Sequence, residues 1–164
     1  MSGPQDGLLI RQAHPRDLAA VQRIERACFS DPWSRDALFG ELLADAMRLP
    51  LVAEIGGAVC GFLMAWRVAD QLHVLNLAAE PAVRRRGVGT ALLLEAARQA
   101  LAADLVELTL EVRAGNHGAR AFYRRHGFGD TGLRPGYYAD NGEDAVIMAA
   151  ATAQVLAGAR AAGP

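Results

Sequence analysis

The sequence predicts a mixed α/β domain, and three observations carry that expectation. Two β-rich runs in "PLVAEIGGAVCGFLMAWRV" flank Gly56-Gly57, a turn signal that specifies a hairpin. The segment "DLVELTLEVR" alternates, with Val106, Leu108, Leu110 and Val112 on one face and Glu107, Thr109, Glu111 and Arg113 on the other. Helical patterns stand between such strands, as crossovers require.

Taken in order, Leu8 to Ala13 reads as a first short strand. A helix follows over "HPRDLAAVQRIERACF", with Pro15 suited to its first position and Asp17 in the first turn, where a carboxylate meets the positive dipole end. Leu18, Val21, Ile24 and Cys28 form its apolar face. "SDPWSRDALFGELLADAM" predicts a second helix from about Ser34, with Leu38, Phe39, Leu42 and Leu43 as its apolar stripe. After the hairpin, whose Gly61 marks a bulge, "QLHVLNLAA" is a further strand. A helix runs over about Gly89 to Ala102, and the alternating strand follows. "NHGARAFYRRHGF" is a helix with Asn116 as N-cap and Gly127 as its stop. "GDTGLRPGYYADNGEDAVIMA" reads as two strands joined by a loop rich in Gly and Asp. The order is β, α, α, β, β, β, α, β, α, β, β, with neither a repeat nor a linker. The Ala-rich end, "AAATAQVLAGARAAGP", reads as a frayed helix or a disordered tail with no chemistry of its own.

Composition narrows the function. The chain has 164 residues, enough for one sizeable core, and is 52% hydrophobic, too apolar for a disordered chain. A formal net charge of -1 gives no global field toward nucleic acid or an anionic membrane. The longest apolar runs fall short of the ~20 residues that span a bilayer. Cys28 and Cys60 are far apart and in no C-x-x-C arrangement, which predicts small buried hydrophobes in a reduced, cytoplasmic chain. "MSGPQDG" lacks the basic start and apolar stretch of a signal peptide. His14, His73, His117 and His126 have no metal-ligand spacing, so no metal is expected. Ser30 and Ser34 have no recognisable His–Asp partnership, so no covalent acyl-enzyme is expected.

Against that neutral background, "RRRGVGT" is a local basic feature between a strand and a helix. The first turn of a helix carries backbone N–H groups without intrahelical acceptors, and glycines let a phosphate approach them. The Walker pattern fails for want of its lysine, and the dinucleotide pattern meets Leu92 at its third glycine position. The pattern [RQ]-x-x-G-x-[GA] is met by Arg84, Gly87 and Gly89. It resembles the coenzyme A pyrophosphate loop of the Gcn5-related N-acetyltransferases (GNAT).

Three further stretches sharpen that resemblance. "LEVRAGNHGARAFYRRHGF", "ACFSDPWS" and "RPGYYADNGEDAVIM" are similar, in order, to motifs of the bacterial ribosomal-protein alanine N-acetyltransferases (RimI type). The resemblance spans about Leu8 to Met148. It implies a single GNAT-like domain over residues 7–149, with a mixed, mostly antiparallel central sheet and about four helices, followed by the tail at 150–164. It also implies acetyl transfer from acetyl-CoA, as co-substrate, to the α-amino group of a protein N-terminus. By that resemblance the acceptor is the N-terminal alanine of the eighteenth small-subunit ribosomal protein; a monomer is expected, though the sequence itself does not give the oligomeric state.

Residue by residue, the resemblance makes Glu111 the base that deprotonates the amine through water and Tyr123 the acid that protonates the departing sulfur. On periodicity alone, Glu111 is a solvated strand-face carboxylate and Tyr123 part of an apolar helix stripe with Ala119, Phe122 and His126. The resemblance assigns coenzyme A binding to Leu77, Ala78, Ala79, Arg84, Arg85, Arg86, Gly87, Val88, Gly89, Thr90 and Asn116. An amide among Leu77–Ala79 serves as oxyanion donor. Gly115 departs from the common Ser, and His117-Gly118 from small alanines, which loosens a helix start by ~1 kcal/mol. The acceptor side is expected near Trp33, Tyr137, Tyr138 and Asp140, with Asp31, Glu143 and Asp144 helping to hold a basic peptide end. Transfer to a lysine, polyamine or aminoglycoside, or a non-catalytic acyl-CoA-binding role, are the alternatives.

Overall fold

The computed structural model describes residues 7–161, with side chains as far as residue 158. Strand β1 (Leu8–Gln12) leads through a 3-10 turn at Pro15–Asp17 into α1 (Leu18–Cys28) and α2 (Arg35–Glu41). Then come β2 (Arg48–Ile55), β3 (Ala58–Val68), β4 (Gln71–Ala79), a 3-10 turn at Pro81–Val83, and α3 (Val88–Ala102). Strand β5 (Glu107–Arg113), α4 (His117–Arg125), β6 (Gly129–Arg134), β7 (Ala145–Ala151) and α5 (Thr152–Ala161) complete the described chain. The strands pair in the order β1-β2-β3-β4-β5-β7-β6. Strands β4 and β5 run parallel, while β1–β2, β2–β3, β5–β7 and β6–β7 are antiparallel. This is the expected element order and mixed sheet, with five helices in place of about four.

The described residues form two compact units, one of residues 7–67 and 75–96, the other of 68–74 and 97–161. In the first, Gly56 and Gly57 close the β2–β3 hairpin with φ of 60° and 82°, left-handed values that glycine adopts without strain. The register steps from Ala53↔Gly61 to Glu54↔Val59, so Cys60 is the extra residue of the expected bulge. Leu18, Val21 and Ile24 of α1 join Leu38, Leu42, Val52, Phe62 and Met64 in one core cluster.

Helix α2 has only seven residues, started by the Ser34 hydroxyl accepting from the Ala37 amide at 3.1 Å. It ends at Glu41, so only Leu38 and Leu42 face the core, and Phe39 and Leu43 are exposed. The predicted stripe of four needs a further turn that does not form. Asp17 also does more than meet a helix dipole. Its carboxylate takes both Arg11 terminal nitrogens at 2.8 Å and the His14 amide at 2.8 Å, while Arg11 Nε reaches Glu54 at 2.7 Å.

In the second unit, β5 lies between β4, from Gln71↔Glu107 to Val74↔Leu110, and β7, from Glu107↔Ala151 to Arg113↔Ala145. Leu108, Leu110 and Val112 are buried as the alternation predicts. Val106 is not: it is exposed one residue before the strand, where its amide donates to Asp70 O and its carbonyl accepts from Thr152. The Ala-rich end starts as an anchored helix. The buried Thr152 hydroxyl donates to Leu105 O at 2.8 Å, and Val155 is fully buried. Among the described residues no helix is long and apolar enough to cross a membrane.

The Arg11–Asp17 pair has a testable pH signature. The guanidinium holds the Asp17 carboxyl below the usual carboxylate range, so the native state binds its proton more weakly than the unfolded chain does. The stabilisation is complete above the unfolded value of about 3.9 and is lost as pH falls through the depressed native value. Asp17→Asn is expected to cost about 2 kcal/mol near neutral pH, with the gap to wild type closing as pH falls through the depressed native value. Urea unfolding of both proteins across that range measures it.

Candidate active site

The first unit holds the residues expected to grip the donor. Strand β4 ends at Leu77, Ala78 and Ala79, and the Glu80 amide then donates to the Cys60 carbonyl at 2.8 Å, carrying the chain off the strand at the bulge. The side chains of Arg84, Arg85 and Arg86 are exposed. Arg85 has φ 67° and Gly87 φ 79°, so the loop turns sharply before α3. The Gly87 carbonyl accepts from Ala91 at 2.9 Å, which opens the helix at Val88. Val88 and Gly89 therefore occupy the first two positions of a 15-residue helix, where amides have no intrahelical acceptor, with Thr90 third. Outward amides, a positive dipole end and exposed guanidinium groups suit a pyrophosphate.

What brings this helix start close is Gly61. A Cβ there would lie 2.8 Å from Val88 Cγ1, 3.0 Å from the Ala78 carbonyl oxygen and 3.3 Å from Leu92 Cδ1. Helix α1 closes the other side. Cys28 Sγ donates to the Ala79 carbonyl at 3.2 Å and takes Arg84 Nη2 at 3.5 Å, and Arg23 pairs with Glu80 at 2.6 Å. Trp33, on the α1–α2 loop of the same unit, is half-buried against the core cluster. Its amide donates to Glu25 Oε1 at 3.0 Å, and Asn76 Nδ2 donates to Glu25 Oε2 at 2.6 Å. Burial raises the Glu25 carboxyl above its ordinary range.

The second unit holds the residues expected to do proton transfer. Glu111 stands opposite Ile147 in the β5–β7 register. Its Oε1 accepts from Arg134 Nε, at the end of β6, at 3.0 Å, and the Tyr137 hydroxyl donates to the same carboxylate. That bond and the carboxylate charge raise the Tyr137 phenol above its ordinary value. Tyr123 is buried on α4, its ring edge-on to Phe122 and Phe128 with centroids 5.2 and 5.4 Å away. Among the described residues no hydrogen bond engages its hydroxyl. Burial alone pushes the phenol far above its usual range, so it stays protonated at neutral pH. Asn116 is the N-cap of α4, its Oδ1 accepting from the Ala119 amide at 3.1 Å.

Arg113 organises the loop at residues 135–144. Both Asp140 oxygens accept from it at 3.0 Å, Asn141 and Glu143 accept at 3.3 and 3.4 Å, and the guanidinium lies 4.0 Å above the Tyr138 ring. Glu143 Oε2 also accepts from the Gly115 amide at 2.7 Å, and a Cβ on Gly115 would lie 2.8 Å from that oxygen. The glycine that departs from the common Ser thus makes room for a carboxylate. Asp144 Oδ1 accepts from the Gly136 amide at 2.8 Å. The structure therefore joins Glu111 to Tyr137, joins Asp140 and Tyr138 to Arg113, and sets Tyr123 in its own aromatic cluster. Of the acids expected to face a basic peptide, Asp140, Glu143 and Asp144 are bonded to the chain itself.

Sequence reasoning missed Glu25, Arg113 and Arg134. A signal existed for Glu25: the spacing of Leu18, Val21, Glu25 and Cys28 runs an apolar stripe through a carboxylate. Nothing local marked Arg113 or Arg134, whose partners lie 27 and 23 residues away in sequence.

Comparison with known proteins accords with this geometry. Residues 18–128 match the Acetyltransferase (GNAT) family. The ribosomal protein bS18-alanine N-acetyltransferase of Salmonella typhimurium is 36% identical over 135 residues, covering 81% of this chain and 90% of that protein. An N-alpha-acetyltransferase of Sulfurisphaera tokodaii is 34% identical over 156 residues, covering 86% and 91%. The crystal structure of the ribosomal-protein-S18-alanine N-acetyltransferase from Escherichia coli superposes with a TM-score of 0.81 at 31% identity, covering 88% of this chain and 94% of that one. On the extent of these matches and the fold they share, the chain belongs to the GNAT family of acetyltransferases.

Proposed function

We propose that the chain moves the acetyl group of acetyl-CoA to the α-amine of a protein N-terminus, the N-terminal alanine of ribosomal protein bS18 being the acceptor. The observation that carries this reading is the contrast between two groups of the second unit. Glu111 is a carboxylate bonded to an arginine and a tyrosine, while Tyr123 is a buried phenol held in its protonated form with no partner among the described residues. One is suited to take a proton and the other to give one.

An α-amine has a pKa of about 7.7–8.0, so much of it arrives protonated at neutral pH. Glu111 attracts that ammonium and takes its proton, directly or through water. The Arg134 side chain is exposed and can move aside as the amine arrives. Bound acetyl-CoA supplies a thioester, whose carbonyl carbon takes the amine and whose sulfur leaves. Tyr123 protonates that sulfur. Arg84, Arg85, Arg86 and the amides of Gly87 to Thr90 hold the pyrophosphate, with Asn116 as a further contact. A backbone amide among Leu77, Ala78 and Ala79 steadies the developing oxyanion. Trp33, Tyr137 and Tyr138 flank the acceptor, and Asp140 acts through Arg113, which holds the Tyr138 ring. The enzyme works as a monomer in the cytoplasm. Residues 7–149 form the catalytic domain, and α5 belongs to an appended segment at 150–164.

Mass spectrometry of ribosomal-protein N-termini from cells with and without this chain tests the acceptor; loss of acetyl from one N-terminal alanine is the expected result, and an unchanged set overturns it. Glu111→Gln is expected to leave acetyl-CoA affinity within about twofold while turnover falls about a hundredfold. Calorimetric titration alongside steady-state kinetics separates the two, and unchanged turnover removes Glu111 from the role of base. Tyr123→Phe, which keeps the ring packing, is expected to lower kcat about a hundredfold with acceptor KM nearly constant. A thermal midpoint equal to wild type confirms that chemistry rather than folding was lost.

A further inference from the structure

Glu25 is 1% exposed, and among the described residues no cation pairs with it. A carboxylate in such a place is costly unless its oxygens are bonded, and a well-packed apolar residue would hold α1 to the core at lower cost. Each oxygen of Glu25 has one donor, and the donors belong to different segments. The Trp33 amide lies on the α1–α2 loop, and Asn76 lies on β4 immediately before Leu77, Ala78 and Ala79. Cys28 and Arg23 also tie α1 to the end of β4, through Ala79 and Glu80. Neither of them holds the loop as well.

We infer that Glu25 is a positioning residue for acetyl transfer: its two bonds fix the Trp33 loop, on the acceptor side, against the strand that carries the donor-side residues Leu77–Ala79. The inference rests on the acceptor and donor assignments above, and the three segments involved, α1, the α1–α2 loop and the end of β4, lie in the first unit. What matters is the complementary pair of a double acceptor and an amide donor. A loop displaced by 1 Å changes how the amine meets the thioester, and such misplacement is expensive in rate.

The pairing can be reversed. Asn76→Asp removes the amide donor and sets a second carboxyl against Glu25, so that at alkaline pH, where both are ionised, the link breaks; the assays below are run there. Glu25→Gln keeps the shape: its oxygen accepts from the Trp33 amide, and the Asn76 amide turns over to accept from its NH2 group. The double variant E25Q/N76D restores a donor and an acceptor with their roles exchanged. With the acceptor peptide, N76D is expected to raise KM about tenfold while the acetyl-CoA KM moves less than about twofold, and E25Q/N76D to return within about threefold of wild type. Equal rises in both KM values, or a folded double variant no better than N76D, overturn the inference.

A second measurement does not depend on turnover. The chain has two tryptophans, Trp33 and Trp66, so fluorotryptophan labelling gives two 19F resonances. The Trp33 resonance is expected to shift in N76D and return in E25Q/N76D, with Trp66 unmoved. Should N76D fail to fold, N76A removes the donor without adding charge and is expected to shift the Trp33 resonance in the same way; an unmoved resonance overturns the inference. A wild-type protein that acetylates no alanine-start peptide refutes the acceptor assignment, while the resonances still report on Glu25.

Discussion

At Gly61 the chain has no room for a side chain, and the junction of β3, β4 and α3 in the first unit is arranged around that fact. Val88, the Ala78 carbonyl and Leu92 all stand within 3.3 Å of where a Cβ would be. The Val88 and Leu92 side chains of α3 and the carbonyl at the end of β4 thus pack directly on the β3 backbone. The bulge at Cys60 adds the second half of the constraint, because its carbonyl takes the Glu80 amide and turns the chain out of β4. The arginine loop then leads straight into a helix start whose amides point outward. A phosphate-binding loop needs little from its side chains beyond charge, but it needs this close approach of the helix to the strand end.

The other half is organised by one cation. Arg113 collects Asp140, Asn141 and Glu143 and lies over Tyr138, and Glu143 in turn bonds the Gly115 amide. Isolated partly exposed ion pairs contribute little, but bidentate geometry within a network orders a loop. The loop at residues 135–144 carries Tyr137 to Glu111 as a consequence. Its acids therefore shape the loop that carries both tyrosines through internal bonds.

Two buried residues carry polar groups in places that apolar residues would fill. Tyr123 packs its ring in an aromatic cluster that a phenylalanine would fill as well, and no hydrogen bond among the described residues engages its hydroxyl. Glu25 keeps a charge-bearing group where an aliphatic residue would suffice, and bonds both of its oxygens. Departures of this kind concentrate where a fold does chemistry or positions those that do. The first sets a phenol, and the second a doubly bonded carboxyl, where packing alone asks for neither.

Much of the architecture was legible in the chain because it rests on local periodicity and turn chemistry. The Gly56-Gly57 hairpin, the alternation from Leu108 to Val112, the Ser34 and Asn116 caps and the glycine loop before α3 all depend on neighbours a few residues apart. The sequence alone determined these elements, their order and, by resemblance, the residues to inspect. It misjudged Phe39, Leu43 and Val106, because whether an element continues one more turn or one more residue depends on what packs against it. The anchoring of Thr152 and the partners of Glu25, Arg113 and Glu111 were decided only by the tertiary structure. A hydrogen bond or ion pair between residues tens of positions apart has no period along the chain; it exists only once the backbone has brought donor and acceptor within 3 Å.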